Sequence, residues 1–325
     1  MKKTVIVIGS SSFSGSWFVK KMIEENFRVI GFSRSKIKRE YNFISSKKFT
    51  FYKIDINKDF KKMVKIIEKN KPSIIVNFAA QSFVRTSWDS PEDWFKTNTL
   101  SSIKLAHYLK NQKFLKRFIQ ISTPEIYGNI GNFKNNSNYN PTTPYALSKL
   151  SFDLYLKMLI KKYKFPAIFV RSANVYGEGQ QLYRIIPKAI IKIKKNEKLF
   201  LNDMGEVYRS FIHISDNSDL IFQVIKKGKN GEVYHPSTNK LISLKKLALI
   251  ICKKLNSNFK HSVILKKNKT TDDKYYNIYS SKELKKLNFK PNFISVENGV
   301  DRTINWINKN WKVFKNKKLE YAHKK

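Results

Sequence analysis

At 325 residues the chain can bury a large core and divide into two lobes, and its 41% hydrophobic content excludes a disordered protein. One cysteine, Cys252, excludes an internal disulfide and suits a reducing compartment. The formal charge of +40 comes from lysines spread along the whole chain, which argues against a nucleic-acid patch and suits attraction of a polyanionic small molecule.

The apolar run after Met1 stops at the Gly9 turn, too short for a secretory signal. Nothing approaches the roughly 18–20 apolar residues of a membrane span, so a cytoplasmic protein is expected. From there, short β-rich runs alternate with amphipathic patterns. Strands are predicted over 4–8, 28–32, 49–54, 73–78, 117–122 and 167–172, and helices over 14–26, 58–69, 93–110 and 145–163. Continuous rather than alternating hydrophobicity implies strands buried on both faces, hence a parallel sheet covered by helices. The expected fold class is α/β, a doubly wound parallel-sheet Rossmann domain with a smaller, irregular C-terminal substrate lobe. After Gly177 the rhythm breaks. Helical patterns at 185–195, 216–227, 244–254, 280–287 and 295–308 surround an extended stretch at 199–201. The predicted division is 1–177 for the dinucleotide domain, with 207–235 returning to it, and 178–325 for the interleaved lobe. The lysine-rich tail after Trp311 is expected to fray.

Gly9, Ser12, Phe13, Ser14 and Gly15 fall between the first strand and first helix, where a doubly wound fold sets a pyrophosphate on a helix N-terminus. Ser12 stands where a middle glycine is usual, so its Cβ is expected to crowd that approach. The second strand ends in Ser33 and Arg34 without the acidic residue that binds a ribose diol, which favours NADP over NAD. Asp55 and Ile56 are placed to cap the adenine, and Phe78, Ala79 and Ala80 to pass beneath the cofactor as backbone.

Thr123, Glu125, Tyr145 and Lys149 form the candidate catalytic set. Tyr145 and Lys149 are i and i+4, so on a helix they share a face, and the ammonium is expected to favour the phenolate. That spacing alone is commonplace on exposed helices. Glu125 adds a second acid–base group. The histidines at 107, 213, 235, 261 and 323 lack metal-ligand spacing, so no metal is expected. Cys252 fits an apolar helix face, and Asn98 a structural, backbone-bonding role.

These residues sit in longer runs: AAQS at 79–82, Thr97-Asn98, STPEIYG at 122–128, TPYALSK at 143–149, RSANVYG at 171–177 and RSFIHISD at 209–216. As a set they resemble the extended short-chain dehydrogenase/reductases that modify nucleotide sugars, nearest in look the nucleotide-sugar 4,6-dehydratases of the dTDP-glucose and GDP-mannose types. The resemblance implies transient C4 oxidation, loss of water across C5 and C6, and reduction at C6. Tyr145 would then be the base, Lys149 its tuner, Thr123 a hydrogen bond to the reacting oxygen, and Glu125 the group serving C5 and C6. It further implies a tightly bound nicotinamide dinucleotide, a nucleotide-diphosphate sugar substrate, and a homodimer built on the helices at 93–110 and 145–163. Asn174 and Arg209 would lie near the diphosphate, with Ser82, Arg85 and the stretch 180–184, including Arg184, around the sugar and nucleotide. Asp272–Tyr276, preceded by Lys269, occupies the place of a family stretch near the nucleotide.

Pro124 departs from the pattern, because some members carry an aspartic acid there and others a serine. Proline has neither proton nor donor to offer. Either Glu125 acts alone in elimination, or the chain is a 4-epimerase or 4-ketoreductase. A non-catalytic dinucleotide-sensing or nucleic-acid-binding module is the remote alternative.

Overall fold

The computed structural model describes residues 4–42, 44–128, 138–268, 275–276, 282–289 and 292–323. Ten strands come first in chain order: β1 Thr4–Ile8, β2 Arg28–Ser33, β3 Phe49–Lys53, β4 Ile74–Asn77, β5 Arg117–Ile121, β6 Ala167–Val170, β7 Asn174–Tyr176, β8 Leu199–Leu201, β9 Tyr208–His213 and β10 Val233–Tyr234. Between them run α1 Phe13–Glu24, α2 Phe60–Asn70, α3 Pro91–Trp94, α4 Ser101–Leu109, α5 Pro144–Tyr163, α6 Ile185–Lys194 and α7 Ile214–Lys227, followed by β11 Leu241–Ser243 and α8 Leu244–Lys254.

Seven strands make one parallel sheet in the order β10-β6-β5-β4-β1-β2-β3. The order reverses between β1 and β4, which opens a crevice at the strands' carboxyl ends. Alternation along β1 shows why its hydrophobicity is continuous. Val5 and Val7 face one core with Phe18, Val76 and Ile221, while Ile6 and Ile8 face the other with Met63, Leu105 and Phe152. Each face needs its own apolar set because helices cover both.

A third core fills the C-terminal lobe, where α6, α8 and the helix Val296–Lys309 bury Ile186, Ile190, Leu247, Val300 and Trp306. Cys252 lies in it, as its helix position implies. A smaller sheet carries β7 and β11 beside β9, with the backbone of Tyr275–Tyr276 completing it. The neighbouring Lys269 and Asp272 to Lys274 lie outside the described residues, as does the start of the predicted 280–287 helix, of which Lys282–Lys285 is seen.

Two expectations are corrected. The single helix predicted over 93–110 is α3, a wider π turn over Phe95–Leu100, and then α4. The π turn places Asn98 so that its Oδ1 accepts from Gln81 N–H at 2.9 Å while its Nδ2 donates to the Gln81 carbonyl at 3.0 Å and to Ser148 Oγ at 2.9 Å. Satisfying buried backbone groups this way favours the irregular turn over a regular helix. The tail after Trp311 is docked through His323 rather than frayed. Phe314 and Leu319 are buried, Lys317 pairs with Glu40, and His323 Nε2 meets Asp93 Oδ2 at 2.7 Å. Its aromatic and apolar residues, set among the lysines, supply the docking surface.

Candidate active site

Gly9 ends β1 at φ +81°, and a Cβ on it would lie 2.8 Å from Ala79 N. At Gly15 a Cβ would come within 2.1 Å of the Gly9 carbonyl, so the first turn of α1 can pack on the strand end only as glycine. Ser12 is the N-cap of α1, and its Oγ accepts from Gly15 N–H at 3.1 Å. With φ −72° its backbone conformation needs no glycine there, and the serine contributes a cap. Ser33 Oγ accepts from Ser11 N–H at 2.9 Å, tying this turn to the end of β2.

Beside the turn is a cavity of about 200 Å³ walled by Ile8, Phe32, Ile54, Ile56 and Phe78, with Gly9, Ser12, Ser33, Arg34, Asp55, Ala79 and Ala80 on its rim. Apolar walls with a helix N-terminus at one end fit an adenosine carrying a pyrophosphate. Arg34 is exposed, and Asp55 Oδ1 accepts from Asn57 N–H at 2.8 Å.

A larger cavity of about 520 Å³ continues from Ser12, Phe13 and Ser14 to the catalytic set. Thr123 follows β5 and caps a 3₁₀ turn, Pro124–Tyr127, with its Oγ1 accepting from Glu125 N–H at 3.3 Å. Pro124 occupies the first turn, where its missing N–H costs nothing. Thr143 caps α5 by accepting from Ala146 N–H at 3.1 Å, which places Tyr145 in the first turn of the helix and Lys149 one turn further. Thr123, Glu125, Tyr145, Lys149, Ser82, Asn174 and Arg184 all line this cavity. Arg85 lies exposed in the 3₁₀ turn Arg85–Ser87, and Arg209 Nη1 donates to the Tyr208 carbonyl at 2.8 Å; neither lines the cavity.

Electrostatics differ from the simple phenolate picture. Burial holds the Tyr145 phenol above its ordinary pKa, and the Glu125 carboxylate adds to this, while a hydrogen bond with Thr123 and the charge of Arg184 oppose it. Lys149 donates to the Ile121 carbonyl at 2.7 Å, and burial pulls it down to about 8 against the opposing charge of Asp153. Both shifts share one cause, since a water-poor site disfavours either charged form. The expected lowering of the phenol by Lys149 is therefore outweighed.

Behind this pair lies a network that sequence reasoning missed. Asp153, one turn beyond Lys149, accepts from Ser122 Oγ at 2.6 Å and from Arg171 Nη2 at 2.8 Å, with both charged side chains essentially buried. Arg171 also bonds the Tyr127 hydroxyl, which lies 3.0 Å from Nε2 of His235. Burial and the Arg171 charge push His235 down to about 3, so it is neutral. An aspartate four residues after Lys149 on the same inward face was the available signal. Phe83, also on the cavity wall, gave none beyond its apolarity, whereas Tyr183 falls in the stretch 180–184 that the resemblance sets around the substrate. Among the described residues no cluster of His, Cys, Asp and Glu could hold a metal, and no helix is long and apolar enough to cross a membrane.

The sequence profile of the NAD dependent epimerase/dehydratase family matches residues 5–235. The chain belongs to that family. Human dTDP-D-glucose 4,6-dehydratase is 29% identical over 331 residues, covering 97% of this chain and 92% of that one. The dTDP-glucose 4,6-dehydratase of Xanthomonas campestris is 25% identical and covers 95% of this chain and 94% of its own. Among solved structures, Bacillus anthracis dTDP-glucose 4,6-dehydratase in complex with NAD superposes with a TM-score of 0.85 at 26% identity, covering 98% of this chain and 100% of that one. UDP-N-acetylglucosamine 4-epimerase from Methanobrevibacter ruminantium gives 0.86 at 27%, covering 95% and 100%.

Proposed function

We propose that the protein is a nicotinamide-dependent nucleotide-sugar 4,6-dehydratase, converting an NDP-hexose to an NDP-4-keto-6-deoxyhexose. The observation that carries this reading is Glu125, a carboxylate in the same cavity as Tyr145 and near enough for its charge to hold the phenol proton. Redox chemistry at a single carbinol needs one acid–base group, and elimination at the adjacent carbons needs another. The named dehydratase relatives over nearly the whole chain support the same conclusion.

The dinucleotide, when bound, supplies reversible redox chemistry at sugar C4 and C6. Tyr145 acts as phenolate, a form that the Thr123 hydrogen bond and the Arg184 charge favour against burial and Glu125, and takes the proton of the 4-hydroxyl with Lys149 close by. A ketone at C4 acidifies C5, and Glu125 removes that proton. Pro124 has no proton to give, so Glu125 delivers the same proton to the C6 hydroxyl, which departs as water, and the proton held by Tyr145 restores C5 as C6 is reduced. Ser82, Asn174 and Arg184 are assigned to substrate, Arg184 to a phosphate that its planar fork suits. The cavity's enforced proximity lets the steps follow one another without release.

For the dinucleotide we favour NADP, because Arg34 and Ser33 close the β2 end of the adenosine cavity with no carboxylate there. Purified protein that carries NAD alone contradicts this preference. We also infer a homodimer. Leu147, Leu154 and Met158 recur along one face of α5 and, with Leu100, stay 43–63% exposed, leaving an apolar stripe uncovered. The lone buried Cys252 accords with a cytoplasmic setting.

A 4-epimerase is the second reading, favoured by the protonless Pro124 and the likeness to an epimerase structure. Glu125→Gln separates the two. The dehydratase reading expects water loss to fall by about 10²-fold or more, typical of removing an acid–base group, with C4 oxidation still visible as a reduced-nicotinamide absorbance. An unimpaired variant removes Glu125 from the mechanism.

A further inference from the structure

The tail that docks instead of fraying ends against the substrate cavity. Three anchors hold it: Lys317 pairs with Glu40 beyond β2, Tyr321 stacks on Phe83 with ring centroids 4.2 Å apart and planes at 12°, and His323 stacks on the buried ring of Trp94 at 4.9 Å while bonding Asp93. Tyr321 also meets Tyr183 edge-on at 5.3 Å, and Tyr183 meets Phe83 edge-on at 5.4 Å. Phe83 belongs to the loop after β4 and Tyr183 to the segment entering α6, so the three rings join the two lobes at the cavity wall.

We propose that Tyr321 is a positioning residue for the substrate site, its ring holding Phe83, Tyr183 and through them Arg184 in the arrangement that receives the sugar nucleotide. The Arg184 guanidinium lies over both rings, 5.8 Å from the centroid of Phe83 and 5.4 Å from that of Tyr183, and Nη2 donates to the Ser82 carbonyl at 3.4 Å. A guanidinium held on aromatic faces keeps its fork in one orientation, ready for a phosphate. Tyr321 does not line the cavity itself. It forms the third side of the ring cluster, so without it Phe83 and Tyr183 lose their common neighbour and Arg184 its platform. The segment stays attached when this one anchor is removed, because Lys317 and His323 hold it on either side and Phe314 and Leu319 are buried in the lobe.

The inference rests on the cavity being a sugar-nucleotide site, and the test separates the two ideas. Full-length protein with its bound cofactor is titrated with UDP and with dTDP by calorimetry, and turnover of UDP-glucose and dTDP-glucose is followed in parallel. Tyr321→Ala should weaken nucleotide binding and raise KM by about tenfold with kcat within about twofold, the pattern of lost binding rather than lost chemistry. Tyr321→Phe, which keeps the ring, should match the unaltered protein. Undiminished binding in Tyr321→Ala, or equal losses in both variants, overturns the proposal. If Tyr321→Ala does not fold, His323→Ala releases the last anchor only and should weaken binding by about threefold; unchanged binding there overturns it too. Protein that binds UDP or dTDP in this Tyr321-dependent way yet releases no water from either sugar nucleotide sinks the dehydratase reading and leaves the positioning role standing. Protein that binds neither nucleotide is titrated with GDP and assayed on GDP-mannose in the same way, and protein that binds none of the three overturns both.

Discussion

Between Thr123 and Glu125 the chain places a proline whose ring fixes φ for the start of the 3₁₀ turn that aims Glu125 into the cavity. The residue therefore serves geometry and leaves proton traffic to its neighbours. Lys149 carries a related consequence. Burial sets its ammonium at about 8 with Asp153 opposing, so the charged fraction falls as pH rises through that value. The kcat/KM profile, which reports the free enzyme, should accordingly turn down above about pH 8; a profile climbing steadily into the alkaline range contradicts a required ammonium. Gly15→Ala is a sharper steric test, because the added Cβ would sit 2.1 Å from the Gly9 carbonyl. Loss of cofactor from the purified protein, with about 1–3 kcal/mol less stability in denaturant titration, is expected. Retained cofactor at unchanged stability would show that the turn can move.

Helix α5 has two faces with separate roles, and each can be broken on its own. Its inward face sets Lys149 and Asp153, the latter paired with Arg171 at 2.8 Å in a fully buried position. Asp153→Ala leaves that guanidinium buried without its counter-charge, and chemical denaturation should show a loss of about 3–5 kcal/mol; a loss below about 1 kcal/mol, the range of a surface pair, contradicts the assignment. Its outer stripe is the face proposed for the dimer, and on that proposal Leu154→Glu with Met158→Glu should halve the mass seen by light scattering. An unaltered dimer places the interface elsewhere.

The same helix shows what the sequence disclosed. The Tyr145–Lys149 spacing and the helical pattern over 145–163 are local signals, legible residue by residue. Asp153's role depends on Arg171 arriving from the end of β6, a long-range pairing with no local signature. The π turn at Phe95–Leu100 was illegible for a like reason, since it forms around Asn98 bonding the backbone of Gln81 in another segment. Tyr321 and His323 read as part of a charged tail because tail composition says nothing about the aromatic residues waiting at Phe83, Tyr183 and Trp94.

Across the whole molecule, the sheet's reversal between β1 and β4 brings the helix N-terminus of α1, the turn after β5 and the first turns of α5 to one crevice. The C-terminal lobe closes the crevice from the far side with Asn174, Tyr183 and Arg184. The groups proposed for redox and for elimination thus line one cavity. The most direct measurement is the mass of the product formed when the purified protein is incubated with dTDP-glucose, UDP-glucose and GDP-mannose in turn. The account predicts that one of these yields a sugar nucleotide lighter by one water, with no net consumption of dinucleotide. A product of unchanged mass with inverted C4 would contradict it.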